Sequence, residues 1–229
     1  MTEPNFIKRI FIKAYAGQLR KPKGIFALRV GNKMNELNSY LYDISIDKIN
    51  PEDNEAILEI GFGNGKFFEK IFAKAEDLKI YGLDYSSEMV KAATENNKSS
   101  VNSGKLFLKC GSSDRIPFDD NFFNKVFCIN VAQFWENPSA HLKEIYRVLK
   151  PGGKFFTIIR TKESTLMMPF SKYGFTAYTD EEWVRILNEN NLNCINTSVI
   201  TERPVKLNNG DYKLESYCLF QKSFLYNNY

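Results

Sequence analysis

Short apolar runs alternate with amphipathic segments along most of the chain. The segment 134–150 has the clearest helical pattern, because its apolar residues recur at i, i+3, i+4 and i+7 from Leu142 to Leu149. The strand-like runs are AILEI, KIYGLD, KLFLKC, KVFCINV, KFFTIIRT, CINTSVI and ESYCLFQ. Strands that alternate with helices predict an α/β fold, in which a mostly parallel sheet is covered on both faces.

The two ends of the chain depart from this alternation. The last two strand-like runs have no helical segment between them, only a stretch with an Asn209-Gly210 turn signal, so we expect an antiparallel pair at one edge. Apolar residues at helical spacing predict a short helix from Phe6 to Ala14, and a second helix should run from about Leu28 to Tyr42. The sequence therefore divides into an N-terminal helical extension, residues 1–50, and a main domain, residues 51–229.

Composition is that of a soluble globular domain. The 229 residues are 43% hydrophobic and 25% charged, and no apolar run reaches the ~18 residues of a transmembrane helix. The N-terminus has Glu3 and several basic residues within its apolar part, so it is a poor signal peptide. Four widely spaced cysteines and a single histidine favour reduced, packed thiols over a disulfide framework or a metal site. We expect a cytoplasmic protein without bound metal.

Charge is concentrated at the N-terminus. Residues 1–33 contain eight basic side chains and one acidic one, +7 in total, whereas the whole chain carries +4. One interpretation is a helical cover whose basic side chains face solvent. The other is a basic face toward an acidic substrate or, transiently, an anionic membrane.

The segment ILEIGFGNGKF, residues 57–67, places a carboxylate in an apolar strand and then three glycines at alternate positions. One interpretation is that the glycines only make a tight turn between strand and helix. Alternatively, without β-carbons at Gly61, Gly63 and Gly65, a small molecule can lie directly on the backbone, where the next helix points its free N–H groups. Because ligands of open parallel sheets bind at the carboxyl ends of the strands, the loop is in the right place.

Two carboxylates bear on this choice. Burying Glu59 is costly unless it is paired, so it would accept loop N–H groups or face the ammonium of a ligand. Asp84 ends the second strand, 23 residues after Gly61, where a carboxylate can bind both hydroxyls of a ribose. The alternative for Asp84 is a cap on the following helix. A nicotinamide dinucleotide fits poorly, because G-x-G-x-x-G spacing is absent and Glu59 would lie near its phosphates.

Four segments in order resemble the class I S-adenosylmethionine-dependent methyltransferases, in particular the small-molecule branch that includes enzymes of ubiquinone and menaquinone biosynthesis. They are ILEIGFGNGKF, YGLDYSSEMVKAA, IPFDDNFFNKVFCINVAQFWENP and LKEIYRVLKPGGKFF, spanning roughly residues 55–160. The resemblance implies a Rossmann-like, doubly wound, seven-stranded sheet with an antiparallel C-terminal strand pair. It also implies S-adenosylmethionine as the cofactor.

The resemblance assigns roles to particular residues. Glu59 and the loop would hold the methionine half of the cofactor, Asp84 the ribose, and Ser112 and Ser113 the adenine edge. The full set of implied cofactor-binding residues is Glu59, Gly61, Phe62, Gly63, Asn64, Gly65, Asp84, Tyr85, Met89, Gly111, Ser112, Ser113, Asn130 and Gln133. The N-terminal segment would close over the cofactor and bring Gln18, Met34 or Asn35 near the site.

The methyl acceptor is less well defined by the sequence. An apolar segment after the fifth strand, residues 162–178, and the N-terminal helices favour a small, partly apolar acceptor. Trp135 and Glu136, with Gln133, would line its pocket, whereas His141 should lie on the surface. The basic N-terminus leaves open a nucleic-acid methyltransferase, although INVAQFW lacks the Asn-Pro-Pro-Tyr type motif and no Pro-Cys nucleophile is present. A non-catalytic S-adenosylmethionine-binding module is the other alternative, since no catalytic side chain is identified.

Overall fold

The structure, a computed structural model, describes residues 6–207 and 210–223; the predicted turn residue Asn209 and Glu3 lie outside them. The helices are α1 (Phe6–Arg20), α2 (Ala27–Ile49), α3 (Phe68–Phe72), α4 (Ser87–Asn96), α5 (Lys98–Asn102), α6 (Pro138–Val148), α7 (Lys162–Met167) and α8 (Asp180–Glu189), with 3₁₀ turns at Gly24–Phe26 and Ala132–Phe134. The strands are β1 (Ala56–Ile60), β2 (Lys79–Asp84), β3 (Leu106–Cys110), β4 (Phe123–Ile129), β5 (Leu149–Arg160), β6 (Leu192–Thr201), β7 (Val205–Leu207), β8 (Gly210–Tyr212) and β9 (Glu215–Ser223).

Seven strands form one twisted sheet in the order β3-β2-β1-β4-β5-β9-β6. The first five pair in parallel, and β9 is antiparallel to both β5 and β6. The predicted doubly wound sheet and its antiparallel C-terminal pair are therefore confirmed. Strands β2 and β3 are added on one side of β1 and β4 and β5 on the other, so the strand order reverses between β1 and β4 and places a switch point at the carboxyl end of β1.

Each face of the sheet is covered by helices over its own apolar core. Along β1, Leu58 and Ile60 point to the core beneath α6 and α8, and Ile57 points to the core beneath α2 and α3. Because side chains alternate along a strand, Glu59 lies on the same face as Ile57 and is directed toward α2. The alternation thus decides which helix meets the buried carboxylate.

Local capping explains where several helices begin. Ser86 accepts a hydrogen bond from the backbone N–H of Met89 at the start of α4, and Asn137 precedes Pro138 in α6. Thr179 and Glu182 form a reciprocal capping box on α8. Serine, asparagine and threonine are residue types that favour the N-cap position.

The N-terminal segment consists of two helices that pack on the main domain. Helix α2 extends to Ile49, seven residues beyond the predicted end, because Ile46 and Ile49 continue its apolar face into the core shared with α3. Division of the chain at residue 50 stays a prediction. None of the described helices is long and apolar enough to span a bilayer.

Candidate functional site

A cavity of about 320 Å³ lies at the carboxyl ends of β1, β2 and β4, beneath α2. The main domain contributes lining residues from the loops after these strands and after β3; the N-terminal segment contributes the opposite wall. Lining residues from the N-terminal segment are Leu19, Arg20, Pro22, Gly31, Met34, Asn35, Asn38 and Tyr42. We call this space the site cavity.

The glycine loop, residues 61–65, forms the floor. Gly61 and Gly63 have φ of +76° and +60°, a conformation that L side chains rarely adopt. A β-carbon on Gly61 would lie 2.4 Å from Val131 Cγ2, whereas one on Gly63 would meet no atom within 4 Å. Both interpretations from the sequence therefore have support: Gly61 is needed for the turn, and Gly63 presents bare backbone to open space.

Asp84 joins the end of β2 to the glycine loop. Its Oδ2 accepts a hydrogen bond from Gly63 N at 2.9 Å, and its Oδ1 accepts one from Ser86 N at 2.9 Å. Burial raises the pKa of Asp84 to about 6, although the two N–H donors oppose the rise. Ser86, not Asp84, caps α4. Each carboxylate oxygen has a further lone pair, so the residue can accept additional hydrogen bonds at the edge of the cavity.

Glu59 lies behind the cavity wall, covered by a tyrosine from α2. Tyr42 stacks on Phe67 with ring centroids 3.9 Å apart and donates its hydroxyl hydrogen to Glu59 Oε1. Burial, reinforced by the nearby charge of Asp84, raises the pKa of Glu59 to about 8, and the hydrogen bond from Tyr42 acts in the opposite direction. Glu59 was expected to accept a hydrogen bond from the loop, but the loop N–H of Gly63 donates to Asp84 instead.

Amide side chains fasten α2 to the loops below it. Asn64 accepts a hydrogen bond from Asn35 Nδ2 at 2.7 Å and donates one to Asn32 Oδ1 at 2.9 Å. Asn130, which follows β4 with φ of +54°, donates from Nδ2 to Asn38 Oδ1 at 3.0 Å. Its own Oδ1 is buried without a hydrogen-bond partner among the described residues. Since Asn130 lines the cavity, a ligand donor could satisfy this oxygen.

His141 belongs to the cavity wall, so the expectation of a surface residue is wrong. Its ring stacks on Trp135 with centroids 4.6 Å apart, and its Nδ1 is 2.8 Å from Ser113 Oγ. The first turn of α6 packs against the loop after β3, which leaves His141 only 8% exposed. This burial lowers its pKa, so the ring is neutral at pH 7.

Ten of the fourteen residues assigned to cofactor binding line the cavity. They are Gly61, Phe62, Gly63, Asp84, Tyr85, Met89, Gly111, Ser112, Ser113 and Asn130. The other four, Glu59, Asn64, Gly65 and Gln133, lie just outside the lining. Gly65 packs against α4, where a β-carbon would be 2.8 Å from Ala93 Cβ, and the backbone oxygen of Gln133 accepts a hydrogen bond from Thr176 N.

The N-terminal residues expected near the site divide in the same way. Met34 and Asn35 line the cavity, but Gln18 instead accepts a hydrogen bond from Lys23 N at 2.9 Å. Sequence reasoning missed Asn38 and Tyr42, which lie about one and two turns beyond Met34 along α2. Their spacing of four from Asn38 to Tyr42, and from Met34 to Asn38, was the available signal, since these positions share one helix face.

Contacts of Arg20, Lys21 and Pro22 help to hold the N-terminal segment across the mouth of the cavity. Arg20 Nη1 is 2.8 Å from Glu136 Oε1, and Lys21 Nζ lies 3.9 Å from the centre of the Tyr85 ring. Ser86 Oγ donates a hydrogen bond to the backbone oxygen of Pro22. The ion pair is exposed and contributes only ~0–1 kcal/mol. The buried hydroxyl contact fixes the segment more firmly.

The segment 162–178 contributes no residue to the lining of the site cavity. Pro169 and Phe170 instead form a separate shallow groove with α1, and Phe175 packs on Phe134 with ring centroids 4.6 Å apart. Within residues 6–207 and 210–223, no three His, Cys, Asp or Glu side chains are grouped so as to hold a metal ion.

Comparison with known proteins gives one consistent family. A family described as "Methyltransferase domain" matches residues 58–157. The Bacillus subtilis protein YrhH, named as a methyltransferase, is 36% identical over 126 residues, which are 55% of this chain and 69% of YrhH. A ubiquinone/menaquinone biosynthesis C-methyltransferase of Geotalea daltonii is 32% identical over 48% of this chain, and the match spans only 47% of that enzyme.

Solved structures share the fold at low sequence identity. A chain from the complex between the Haloferax volcanii Trm112 methyltransferase activator and a methyltransferase matches with a TM-score of 0.77 at 18% identity, over 89% of this chain and 96% of that chain. Geranyl diphosphate methyltransferase, solved with geranyl diphosphate and sinefungin, matches with a TM-score of 0.69 at 12% identity, over 82% and 79% of the two chains.

Proposed function

The chain belongs to the class I S-adenosylmethionine-dependent methyltransferases, and from this premise we propose that its site cavity holds the cofactor over the glycine loop beside a small, partly apolar methyl acceptor. The observation that carries the proposal is the pairing of Gly63 with Asp84. The buried carboxylate binds the loop N–H, while the bare face of Gly63 leaves room for a ligand against the backbone.

The residues around the cavity suit the chemical groups of this cofactor. Asp84 supplies spare acceptor lone pairs for ribose hydroxyls, and the loop backbone allows close approach of the methionine portion. The Tyr42 hydroxyl, which donates its hydrogen to Glu59, would present its oxygen lone pair to the cofactor's ammonium group. Ser112 and Ser113 would bind the adenine edge, with the Ser113 hydroxyl oriented by His141.

When bound, S-adenosylmethionine supplies an electrophilic methyl group on its sulfonium, whose in-line transfer to a nucleophilic atom of the acceptor leaves a neutral thioether. The chain therefore mainly has to align the reactants and exclude water, and alignment alone can supply ~7–11 kcal/mol of barrier reduction. Helix α2 covers the cavity and is joined to the loops below it by the hydrogen bonds of Asn35 and Asn130, so it would perform both tasks.

The character of the acceptor follows from the rest of the lining. Leu19, Pro22, Met34, Phe134 and Trp135 supply apolar and aromatic surface. The unpartnered Oδ1 of Asn130 is a buried acceptor within the same cavity, so a donor group on the acceptor would be bound there. We infer a small molecule with an apolar body and a hydroxyl or amine group.

Calorimetric titration with S-adenosylmethionine tests the proposal. The wild type should bind, and at about 100 times the dissociation constant the cofactor should add ~2.7 kcal/mol of stability. Asp84→Asn keeps an acceptor oxygen for Ser86 but loses the charge, which should weaken binding roughly tenfold to a hundredfold. Asp119→Asn, at an exposed position outside the lining, is the matched control and should leave affinity unchanged.

Two outcomes would contradict this function. Absence of binding by the folded wild type, with NAD tested in parallel, would remove the cofactor site. Equal affinity of the wild type and Asp84→Asn would remove the ribose role of Asp84. After binding is established, transfer of labelled methyl to small hydroxyl or amine acceptors identifies the substrate class; failure of every acceptor with intact binding would favour a non-catalytic module.

A further inference from the structure

Large apolar side chains are unusually exposed in the N-terminal segment. The seven residues that we call the N-terminal apolar patch are Phe6, Ile7, Ile10, Phe11, Ile25, Phe26 and Leu28. Phe6 is 76% exposed and Ile25 90% exposed, which leaves most of both side chains in water. Scattered exposed hydrophobic residues are ordinary, but seven within 23 positions indicate an interaction surface.

The first turns of α1 have an amphipathic pattern whose apolar side chains are exposed. Phe6, Ile7, Ile10 and Phe11 follow i, i+3, i+4 spacing and form one stripe. The buried residues of α1, Ala16 and Leu19, lie only in its last two turns. An amphipathic helix of a globular protein normally directs such a stripe into the core. Here Ile7 and Phe11 of the stripe line a shallow groove with Pro169 and Phe170, and all four stripe residues are exposed.

The same segment is strongly basic. Residues 6–33 contain no Asp or Glu, and their eight cationic residues are Lys8, Arg9, Lys13, Arg20, Lys21, Lys23, Arg29 and Lys33. Because the whole chain carries only +4, the remaining residues have a net negative charge. The apolar patch therefore lies in a strongly cationic segment, whereas the rest of the chain has a small net negative charge.

We propose that the N-terminal apolar patch docks on an anionic lipid bilayer. Apolar side chains inserted beside a dense set of Lys and Arg are the signature of helices that lie in the membrane interface. Each basic side chain near an anionic surface strengthens binding on the order of fivefold. A second copy of the chain fits less well, since a two-fold contact would bring two cationic segments together.

Docking would place the site cavity beside the lipid. The cavity lining includes Leu19, Arg20 and Pro22. In the sequence these residues lie between the two exposed parts of the patch. This consequence, unlike the docking itself, rests on the proposed function: a partly apolar acceptor dissolved in the bilayer would reach the site without crossing water.

Vesicle co-sedimentation with the full chain tests the docking. The wild type should bind phosphatidylcholine vesicles that contain phosphatidylglycerol, and bind vesicles of phosphatidylcholine alone at least tenfold less. Raising the salt from about 0.1 M to about 1 M, which shortens the screening length from ~10 Å to ~3 Å, should release it.

Two pairs of variants separate the apolar and electrostatic contributions. Ile10→Ser with Ile25→Ser should lower the partition coefficient at least tenfold; the matched control is Ile195→Ser with Val199→Ser, which are 60% and 56% exposed on β6. Arg9→Glu with Lys13→Glu should lower it at least as much, and Lys91→Glu with Lys98→Glu should change it less than twofold. All these positions are exposed, so the variants should fold.

Three results would overturn the docking. One is equal partitioning onto anionic and neutral vesicles, and another is equal loss in the patch and control variants. The third is a wild-type dimer in sedimentation velocity that Ile10→Ser with Ile25→Ser dissociates, which would assign the patch to self-association. Titration with S-adenosylmethionine without vesicles reports on the proposed function alone, so failure of docking and failure of cofactor binding are distinguishable.

Discussion

Substitution of Glu59 by Gln should stabilise the protein at neutral pH while weakening its affinity for S-adenosylmethionine. Glu59 is 2% exposed, and its nearest polar partner is the Tyr42 hydroxyl. Gln keeps the size of the side chain and an acceptor oxygen for that hydroxyl, but it removes the buried charge. The variant therefore isolates the cost of ionising this position.

The magnitude follows from the pKa of the carboxyl. Burial raises it from 4.5 to about 8 in the folded protein. Because the folded pKa lies above the unfolded one, protonation of Glu59 favours the folded state. This stabilising contribution of the proton is fully present below pH 4.5 and is lost as the pH rises through about 8. At about 1.4 kcal/mol for each unit, the wild type should lose roughly 3 kcal/mol relative to Glu59→Gln by pH 7 and roughly 5 kcal/mol above pH 8.

Urea denaturation of both proteins between pH 5 and pH 9 measures this difference. The free energy of unfolding of Glu59→Gln minus that of the wild type should rise by about 1.4 kcal/mol per pH unit and level off above about pH 8. A difference that does not vary with pH would refute the raised pKa. Calorimetry in two buffers of different ionisation enthalpy should show that cofactor binding at pH 7 releases up to about one proton from the wild type and fewer from the variant.

Three further predictions concern the loop, the capping serine and the histidine. Gly65→Ala should lower the free energy of unfolding in urea by ~2 kcal/mol or more, because φ is +70° and the new β-carbon would lie 2.8 Å from a neighbouring methyl group. Gly63→Ala, whose β-carbon would enter open space, should lower it less but weaken cofactor binding. Equal losses of stability in the two variants would contradict this. Ser86→Ala should cost ~1 kcal/mol or more through loss of the α4 cap and of the bond to Pro22 O, and an unchanged stability would exclude both roles. Since burial lowers the pKa of His141, the wild type should lose stability as the pH falls below about 6.5, and His141→Gln should lose less; parallel pH profiles would argue against a buried neutral ring.

The fold was largely predictable because its signals are local. The alternation of apolar runs with helical segments predicted the parallel sheet, and three helices start at residue types that typically cap helices, namely Ser86, Asn137 and Thr179. The glycine loop and Asp84 were identifiable because the loop follows β1 directly and Asp84 ends β2, so their position at the carboxyl edge of the sheet depends only on strand order.

The cavity wall opposite the loop was less predictable, because it depends on contacts between distant segments. Tyr42 meets Glu59 only after α2 docks on the sheet, and Asn38 meets Asn130 across 92 positions of the chain. His141 was misplaced for the same reason. Its position beside the apolar stripe of α6 indicated solvent, but the loops that carry Trp135 and Ser113 fold over it.

The order β5-β9-β6 has a consequence for folding during synthesis. Strand β6 pairs only with β9 in the main sheet, although β9 is made later, so β6 has no place in the sheet until residues 215–223 have left the ribosome. Until then the backbone of β5 that later pairs with β9, from Lys154 to Arg160, is an unpaired template for association with other nascent chains. Strand β9, the last along the chain among the described strands, therefore completes the sheet, and chains interrupted before residue 215 should be the most prone to aggregate.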